Sequence, residues 1–174
     1  MDETTTSSAS GPATNPTSMN MNDVPRASGL PIPPPLLALA FLAGGLILHA
    51  FSRAPRMIFA HHILGLLLIA GAVGLCFYAA ALFQARGTTK NPQGDATHFV
   101  AEMPFTFTRN PMYLGITIVL FGFAVFFSSV VMLIAPIGFL LVIDRMAIPL
   151  EEQNMERLFG TSYFDYKTRV RRWL

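Results

Sequence analysis

The 174-residue chain is 52% hydrophobic and only 13% charged, and its mean hydropathy is +0.48. These values exclude a water-soluble globular domain and indicate an integral membrane protein. The formal charge of +2 is small, and the basic residues lie at the ends of apolar segments, so no nucleic-acid partner is expected. The single cysteine, Cys76, excludes an intramolecular disulfide and a multi-cysteine metal site.

Residues 1–35 are rich in Ser, Thr, Asn and Pro and lack helical or strand periodicity, which predicts a disordered tail. The domain 36–148 that follows contains four apolar runs. A bilayer core needs about 20 residues per helix, and tilt and flanking residues accommodate runs of different length. We therefore predict an all-α integral membrane fold with four transmembrane helices, over residues 36–51, 57–83, 111–127 and 130–148.

The basic residues predict the orientation of these helices. With the N-terminal tail in the cytoplasm, the inside segments hold Arg26, Arg86, Lys90, Arg109, Arg145, Arg157, Lys167, Arg169, Arg171 and Arg172. Only Arg53 and Arg56 lie outside, in agreement with the positive-inside rule. The third and fourth helices form a hairpin, so the start of one and the end of the other can build one site on the cytoplasmic face of an inner or plasma membrane.

Residues 108–115 stand where a polar loop becomes an apolar helix. Asn110 is a good N-cap and Pro111 a good first helical residue, so a helix is predicted to begin here. Arg109 and the free N–H groups of the first turn would form an electropositive site for a carboxylate or phosphate oxygen. Tyr113 lies one turn in, and its phenol can face the same site. An ordinary membrane-helix start with an interfacial arginine and tyrosine has the same pattern.

The last segment, residues 149–174, is polar and is predicted to form a cytoplasmic helical segment. Gly160 suits the end of a first helix, and a second short helix can begin directly after it. On that second helix Tyr163, Tyr166 and Val170 share one face. An amphipathic tail at the membrane surface is the alternative.

Two features of the last segment separate these alternatives. Glu151 and Glu152 are adjacent acids at the end of a span, which is unfavourable unless they are hydrated or given a cationic partner. The acidic pair therefore favours a functional site over an amphipathic tail at the membrane surface. Residues 171–173, Arg-Arg-Trp, are interpreted instead as a tail on anionic lipid.

No metal site is predicted. His49, His61 and His62 lie near the outer ends of the first two helices. Two adjacent histidines point to different faces of a helix, so they do not supply a set of ligands.

The order of these motifs resembles the isoprenylcysteine carboxyl methyltransferase and phospholipid methyltransferase superfamily. The shared features are Arg-Asn-Pro-Met-Tyr-Leu-Gly at a helix start, a hydrophobic hairpin, the Glu-Glu pair, Phe159-Gly160 and the following tyrosines, over roughly residues 57–174. Members are integral membrane enzymes that use S-adenosylmethionine. The resemblance implies a cofactor pocket open to the cytoplasm and a substrate that arrives through the bilayer.

The resemblance also implies which residues form the cofactor site: His98, Phe99, Val100, Asn110, Pro111, Met112, Tyr113, Gly115 and Glu151. The first three match a loop that closes over the pocket, and Asn110 replaces the usual histidine. The substrate-side arginine of the family falls on Ala147, with Arg145 two residues earlier. The methyl acceptor therefore stays open among a prenylated-cysteine carboxylate, a phospholipid amine and a smaller hydrophobic acid.

The chemistry expected of such an enzyme assigns four further candidates. Arg109 would bind the carboxylate of the cofactor. A carboxylate acceptor would need only an orienting cation, for which Arg145 or Arg169 is suited. An amine acceptor would have to lose a proton, and Glu152 is the nearest candidate base. The expected partners are a lipophilic or lipid-modified substrate and membrane lipid.

A non-catalytic four-helix membrane protein is the alternative, either a small transporter or a degenerate relative of the family. A transporter should carry an ionisable residue at mid-membrane depth. No Asp, Glu, Lys or Arg occurs in the runs 36–51, 57–83 and 111–143, which favours the enzyme over a transporter.

Overall fold

The computed structural model describes residues 32–52, 62–87 and 103–174. Its helices are α1 (Pro34–Phe51), α2 (His62–Gly87), α3 (Pro111–Phe126), α4 (Ile134–Val142), α5 (Ile148–Phe159) and α6 (Thr161–Arg169). A 3₁₀ turn leads into α4, and a π-helical turn, Ile143–Ala147, joins α4 to α5. The predicted tail up to residue 31 and the predicted loop residues His98, Phe99 and Val100 lie outside the described residues.

Three helical stretches are long and apolar enough to cross a membrane: Pro34–Phe51, His62–Leu82 and Val131–Arg157. The fourth, α3, is apolar but has only 16 residues, which corresponds to about 24 Å at 1.5 Å per residue. The predicted all-α integral membrane fold is confirmed.

The fourth apolar segment continues as a helix beyond Ile148, where the predicted span ends, and reaches Phe159. Pro149 does not break this helix. In a regular α-helix a proline lacks one hydrogen bond, and its ring collides with the preceding turn. Here the π-helical turn ends two residues before the proline and shifts the hydrogen-bond register. Glu151 and Glu152 therefore lie on the same helix as the membrane span.

Helices α2 and α3 pack closely because glycines lie at their contact. A Cβ atom at Gly65 would lie 2.6 Å from the backbone nitrogen of Phe126, and one at Gly122 would lie 2.8 Å from the Ile69 side chain. Small residues of this kind allow membrane helices to approach closely. The long contact between α2 and α3 sets the position of α3, whose first turn belongs to the candidate site.

A tight turn closes the hairpin between α3 and α4. Ser128 adopts φ 52°, its N–H donates to Val125 O at 2.9 Å, and Ser129 N–H donates to Ala124 O at 2.9 Å. These bonds use two carbonyls that the end of α3 would leave free. The turn returns the chain across the bundle, so the start of α3 and the start of α5 lie at the same end.

The main core, here called the central cluster, lies between α1, α3 and the long fourth helix. Its buried members are Ala38, Leu120, Phe139, Ile143, Ala147 and Ile148. Tyr113 and Trp173 pack against it, so the central cluster reaches the end of the bundle where the two motifs meet. A second small core joins Tyr163, Tyr166 and Val170, which confirms the predicted shared face of the last helix.

Candidate active site

The start of α3 is built differently from the prediction. Asn110 occupies the N-cap position and Pro111 the first helical position, as predicted, but the Asn110 side chain makes no capping hydrogen bond. Its Nδ2 instead donates to the carbonyl oxygen of Arg172 at 3.2 Å. The predicted capping role is therefore wrong, because the C-terminal end of the chain lies against this helix start and takes the amide.

The C-terminal peptide, residues 170–174, is bound along the start of α3. Thr108 Oγ1 donates to Arg172 O at 2.9 Å, and Arg109 N–H donates to Arg171 O at 3.0 Å. Together with the Asn110 amide, three donors thus hold two consecutive carbonyls. A peptide fixed in this way is part of the site and not a loose extension.

Glu152 is the centre of an ion-pair network and is only 5% exposed. Arg172 binds both of its oxygens, with Nη2 at 2.9 Å from Oε2 and Nε at 3.2 Å from Oε1. Arg109 Nη1 lies 3.3 Å from Oε1, and Lys167 Nζ lies 3.4 Å from Oε2. Glu152 thus has three cationic partners where at least one was expected. Both of its carboxylate oxygens make charge-assisted contacts.

Asp144 extends this network from the π-helical turn. Its Oδ1 accepts from Arg172 Nη1 at 3.3 Å and from Trp173 Nε1 at 3.0 Å. The interpretation of Arg172 and Trp173 as a lipid-facing tail is therefore wrong. Asp144 and Glu152 are eight residues apart, a spacing that returns to one face of a helix, and this spacing was the sequence signal for a shared partner. We call Arg109, Asp144, Glu152, Lys167 and Arg172 the Glu152 network.

Glu151 differs from its neighbour in its contacts. Its Oε1 accepts a hydrogen bond of 2.5 Å from the Tyr113 hydroxyl. Within the described ranges no cation lies within ion-pairing distance of Glu151, and its side chain is only partly buried. The Tyr113–Glu151 pair thus joins the two predicted motifs and keeps acceptor capacity on the carboxylate for a ligand.

Arg109 also keeps unused hydrogen-bonding capacity. Its side chain is 10% exposed, and Nη1 is engaged in the ion pair with Glu152. Its Nε is buried without a hydrogen-bond partner in the part of the chain that the structure describes. Buried donors of this kind are rare in native proteins, and each needs an explanation. An oxyanion held by Arg109 and by the uncapped first turn of α3 would satisfy this donor.

The remaining predicted site residues lie elsewhere. Arg145 is 78% exposed and pairs with neighbouring Asp144 at 3.9 Å, and Arg169 Nε donates to Asp165 O on its own helix at 3.2 Å. Among the described residues, neither contacts Tyr113 or Glu151. Gly115 faces α2, where an added Cβ would collide with Cys76 Sγ, so its place is in helix packing.

A tyrosine hydroxyl attaches helix α6 to the segment that precedes α3. Tyr166 donates its hydroxyl hydrogen to Phe105 O at 2.8 Å, and burial raises the pKa of Tyr166 to about 12. Lys167 donates to Glu156 Oε1 at 2.7 Å, and this hydrogen bond raises the pKa of the Lys167 ammonium. Both groups hold their protons more tightly in the folded chain than in the unfolded chain.

This predicts that the C-terminal peptide detaches in alkali. The stabilisation from Lys167 is complete below its unfolded pKa of 10.5 and is lost as the pH rises through the higher folded value. Above pH 10.0 the unfolded chain also ionises Tyr166 while the folded chain does not, which weakens folding further. Trp173 is the only tryptophan, so its emission should shift to longer wavelength above that pH. Far-ultraviolet circular dichroism is the control; an emission shift only together with loss of all helices would contradict the prediction.

Comparison with known proteins identifies the family of the chain. Residues 60–162 match the model of the family described as phospholipid methyltransferase. The chain belongs to this family. The resemblance noted from the motifs is thereby confirmed, and membership indicates a membrane methyltransferase.

The family match has a clear extent. It includes Tyr113, Glu151 and Glu152, begins after α1, and ends before the C-terminal peptide. An uncharacterised protein of Haemophilus influenzae is 36% identical over 63 residues, which are 36% of this chain and the whole of that protein. No solved structure matches the chain.

Proposed function

We propose that this family member transfers a methyl group from S-adenosylmethionine to a lipophilic acceptor at the membrane surface. The observation that carries the proposal is the Tyr113–Glu151 pair beside the Glu152 network. Glu152 is paired with three cations, whereas the Glu151 carboxylate can still accept hydrogen bonds from a ligand. The positive-inside bias supports a site on the cytoplasmic side.

The residues present fit the cofactor. S-adenosylmethionine carries a carboxylate, an ammonium, ribose hydroxyls and a sulfonium. The Arg109 Nε, which has no hydrogen-bond partner among the described residues, and the first turn of α3 suit the carboxylate. Glu151 suits the ammonium or a ribose hydroxyl, and its charge also favours a cationic ligand. Met112, whose side chain is exposed, stays a proposed cofactor contact.

We assign the other predicted residues roles in building the site, not in contacting the cofactor. Asn110 binds the C-terminal peptide, Pro111 sets the first turn of α3, and Gly115 permits the approach of α2. We assign Glu152 to holding Arg109 and the C-terminal peptide in place, because both of its oxygens already have cationic partners. His98, Phe99 and Val100 remain the proposed covering loop.

The bound cofactor supplies a methyl group on sulfonium, which is transferred by an in-line displacement. The protein has to align the acceptor and exclude water from the reacting atoms, and little acid–base chemistry is required. Arg145 has an exposed side chain at the end of the membrane span, so it can orient an anionic acceptor that lies in the membrane surface. Arg169 is exposed as well and is the second candidate for this role.

Calorimetric binding of S-adenosylmethionine and S-adenosylhomocysteine to the protein in nanodiscs tests the proposal. Wild type should bind both saturably. Glu151→Gln should bind at least about tenfold more weakly, because a loss of about 1.4 kcal/mol is expected when a charged hydrogen-bond acceptor becomes neutral.

Glu156→Gln is the matched control, since it makes the same chemical change on a more exposed residue of the same helix. It should bind as wild type does. A folded wild type that binds neither compound would contradict the proposal and favour a non-catalytic relative of the family.

A further inference from the structure

Arg109 links the C-terminal peptide to the candidate cofactor site. Its backbone N–H donates to Arg171 O at 3.0 Å, and its side-chain Nη1 lies 3.3 Å from Glu152 Oε1. Its Nε is buried without a hydrogen-bond partner among the described residues, so this is the atom open to the proposed cofactor carboxylate. The peptide and the cofactor would therefore bind different atoms of one residue, and neither would displace the other.

Arg172 is the residue that fixes the peptide. Its carbonyl oxygen accepts from Thr108 Oγ1 at 2.9 Å and from Asn110 Nδ2 at 3.2 Å. Its guanidinium binds both oxygens of Glu152, and its Nη1 lies 3.3 Å from Asp144 Oδ1. One residue thus joins the start of α3, the π-helical turn and α5. The planar fork of a guanidinium suits such a double contact, whereas a lysine ammonium is a single point charge.

The peptide is held mainly by polar contacts. Beyond Val170, which is buried, Trp173 is only partly buried against the central cluster, and Leu174 is 74% exposed. Segments with few buried apolar contacts open locally more easily than the core of a protein. The docked state of the peptide therefore depends on the polar contacts of Arg172, and the loss of one of these contacts can shift it.

The position of Glu152 determines how the peptide affects a ligand. This carboxylate binds Arg109 and Arg172 together, at 3.3 Å and 2.9 Å. While the peptide is docked, the Arg109 guanidinium is held in one place, and a ligand meets an ordered group. Once the peptide has undocked, the same ligand would first have to order Arg109, which costs conformational entropy. Docking of the peptide should therefore strengthen ligand binding.

We propose that the C-terminal peptide and the cofactor bind cooperatively, and that Arg172 is a positioning residue that acts through Glu152 and Arg109. This rests on the proposed function, and it adds a conformational step that completes the site. Such coupling is reciprocal, so a bound ligand should favour the docked peptide by the same factor. The family match ends before the peptide, so the inference concerns this chain and not the family.

The test uses Trp173, the only tryptophan of the chain, with the protein in detergent micelles. Its Nε1 donates to Asp144 Oδ1 at 3.0 Å. Among the described residues, Asp144 contacts the peptide and neighbouring Arg145 but none of the proposed cofactor contacts. Asp144→Ala should increase the quenching of Trp173 emission by acrylamide, and saturating S-adenosylhomocysteine should reduce it again. A peptide with a merely structural role would be quenched equally with and without the ligand.

Calorimetry on the same samples measures the coupling from the side of the ligand. Asp144→Ala and Arg172→Gln should each bind S-adenosylhomocysteine at least about fivefold more weakly than wild type, the lower end of typical coupling between sites. Arg157→Gln is the control, because it removes the charge of an exposed arginine on α5. It should change neither quenching nor binding. If Arg172→Gln does not fold, Arg172→Lys makes the comparison, since it keeps the charge and loses the fork.

The outcomes separate this proposal from the proposed function. Weaker binding in the variants, together with protection of Trp173 by the ligand, supports the coupling. Unchanged binding in Asp144→Ala overturns the coupling alone, as does Trp173 quenching that the ligand leaves unchanged in this variant. A folded wild type that binds no S-adenosylhomocysteine overturns both proposals. Far-ultraviolet circular dichroism of each variant shows whether the helices are kept.

Discussion

Glu152→Gln is expected to destabilise the protein by about 3–5 kcal/mol, the typical cost of removing one partner from a buried ion pair. Glutamine keeps the shape but not the charge, so the cations of Arg109, Lys167 and Arg172 would converge on a neutral group. Unfolding in mixed detergent micelles, followed by circular dichroism, measures the change. Cofactor binding should weaken too, because Glu152 positions Arg109.

Two further variants control this result. Glu156→Gln changes the partly exposed acid that also pairs with Lys167, and it should change stability by less than about 1 kcal/mol, as expected for an exposed pair. The double variant Glu152→Gln, Arg172→Gln should recover part of the loss, because one uncompensated cation is removed. A Glu152→Gln protein as stable as wild type would show that the Glu152 network does not hold the site together.

Gly115→Ala is expected to lower stability by about 1–3 kcal/mol, the usual cost of overpacking a tight contact. The new Cβ would collide with Cys76 Sγ and lie 3.1 Å from the carbonyl oxygen of Ala72. Cys76→Ala removes the sulfur, so the double variant should recover part of the loss. Thermal unfolding of the single and double variants in detergent measures both effects.

This experiment also separates two roles for Gly115. If the glycine lined the cofactor pocket, as the family resemblance implies, alanine would weaken cofactor binding with stability unchanged and without rescue by Cys76→Ala. Gly74→Ala on α2 is the control, because a Cβ atom there meets no heavy atom within 4 Å. It should leave both stability and binding as in wild type.

The start of α3 shows how far local sequence reaches. Proline at the first helical position and asparagine before it predicted the helix start, because the missing N–H and the fixed φ of proline act within one turn. The same local rule failed for the Asn110 side chain, which binds the Arg172 carbonyl 62 residues away. A capping preference is worth about 1 kcal/mol, so a competing partner from another part of the chain can replace it.

The Glu-Glu pair shows a second limit of prediction from local sequence. Adjacent residues on a helix project about 100° apart, so the two carboxylates had to face different surroundings, but only the packed structure shows which. Glu152 faces α6 and the C-terminal peptide, and Glu151 faces Tyr113. Asp144 was missed although its eight-residue spacing from Glu152 was visible, because its partners, Arg172 and Trp173, follow only 28 and 29 residues later.

The sequence by itself determined the properties that depend on composition and on neighbouring residues. These are the all-α membrane fold, the start of α3, the end of α5 at Gly160, and the return of both motifs to one end of the bundle. Hydrophobic runs, turn residues and charge bias act over one helix length, so they can be read along the chain. Only the tertiary structure decided which cation meets which acid, since the contacts of Glu152 form with residues 15 or more positions away once the hairpin and α6 have packed.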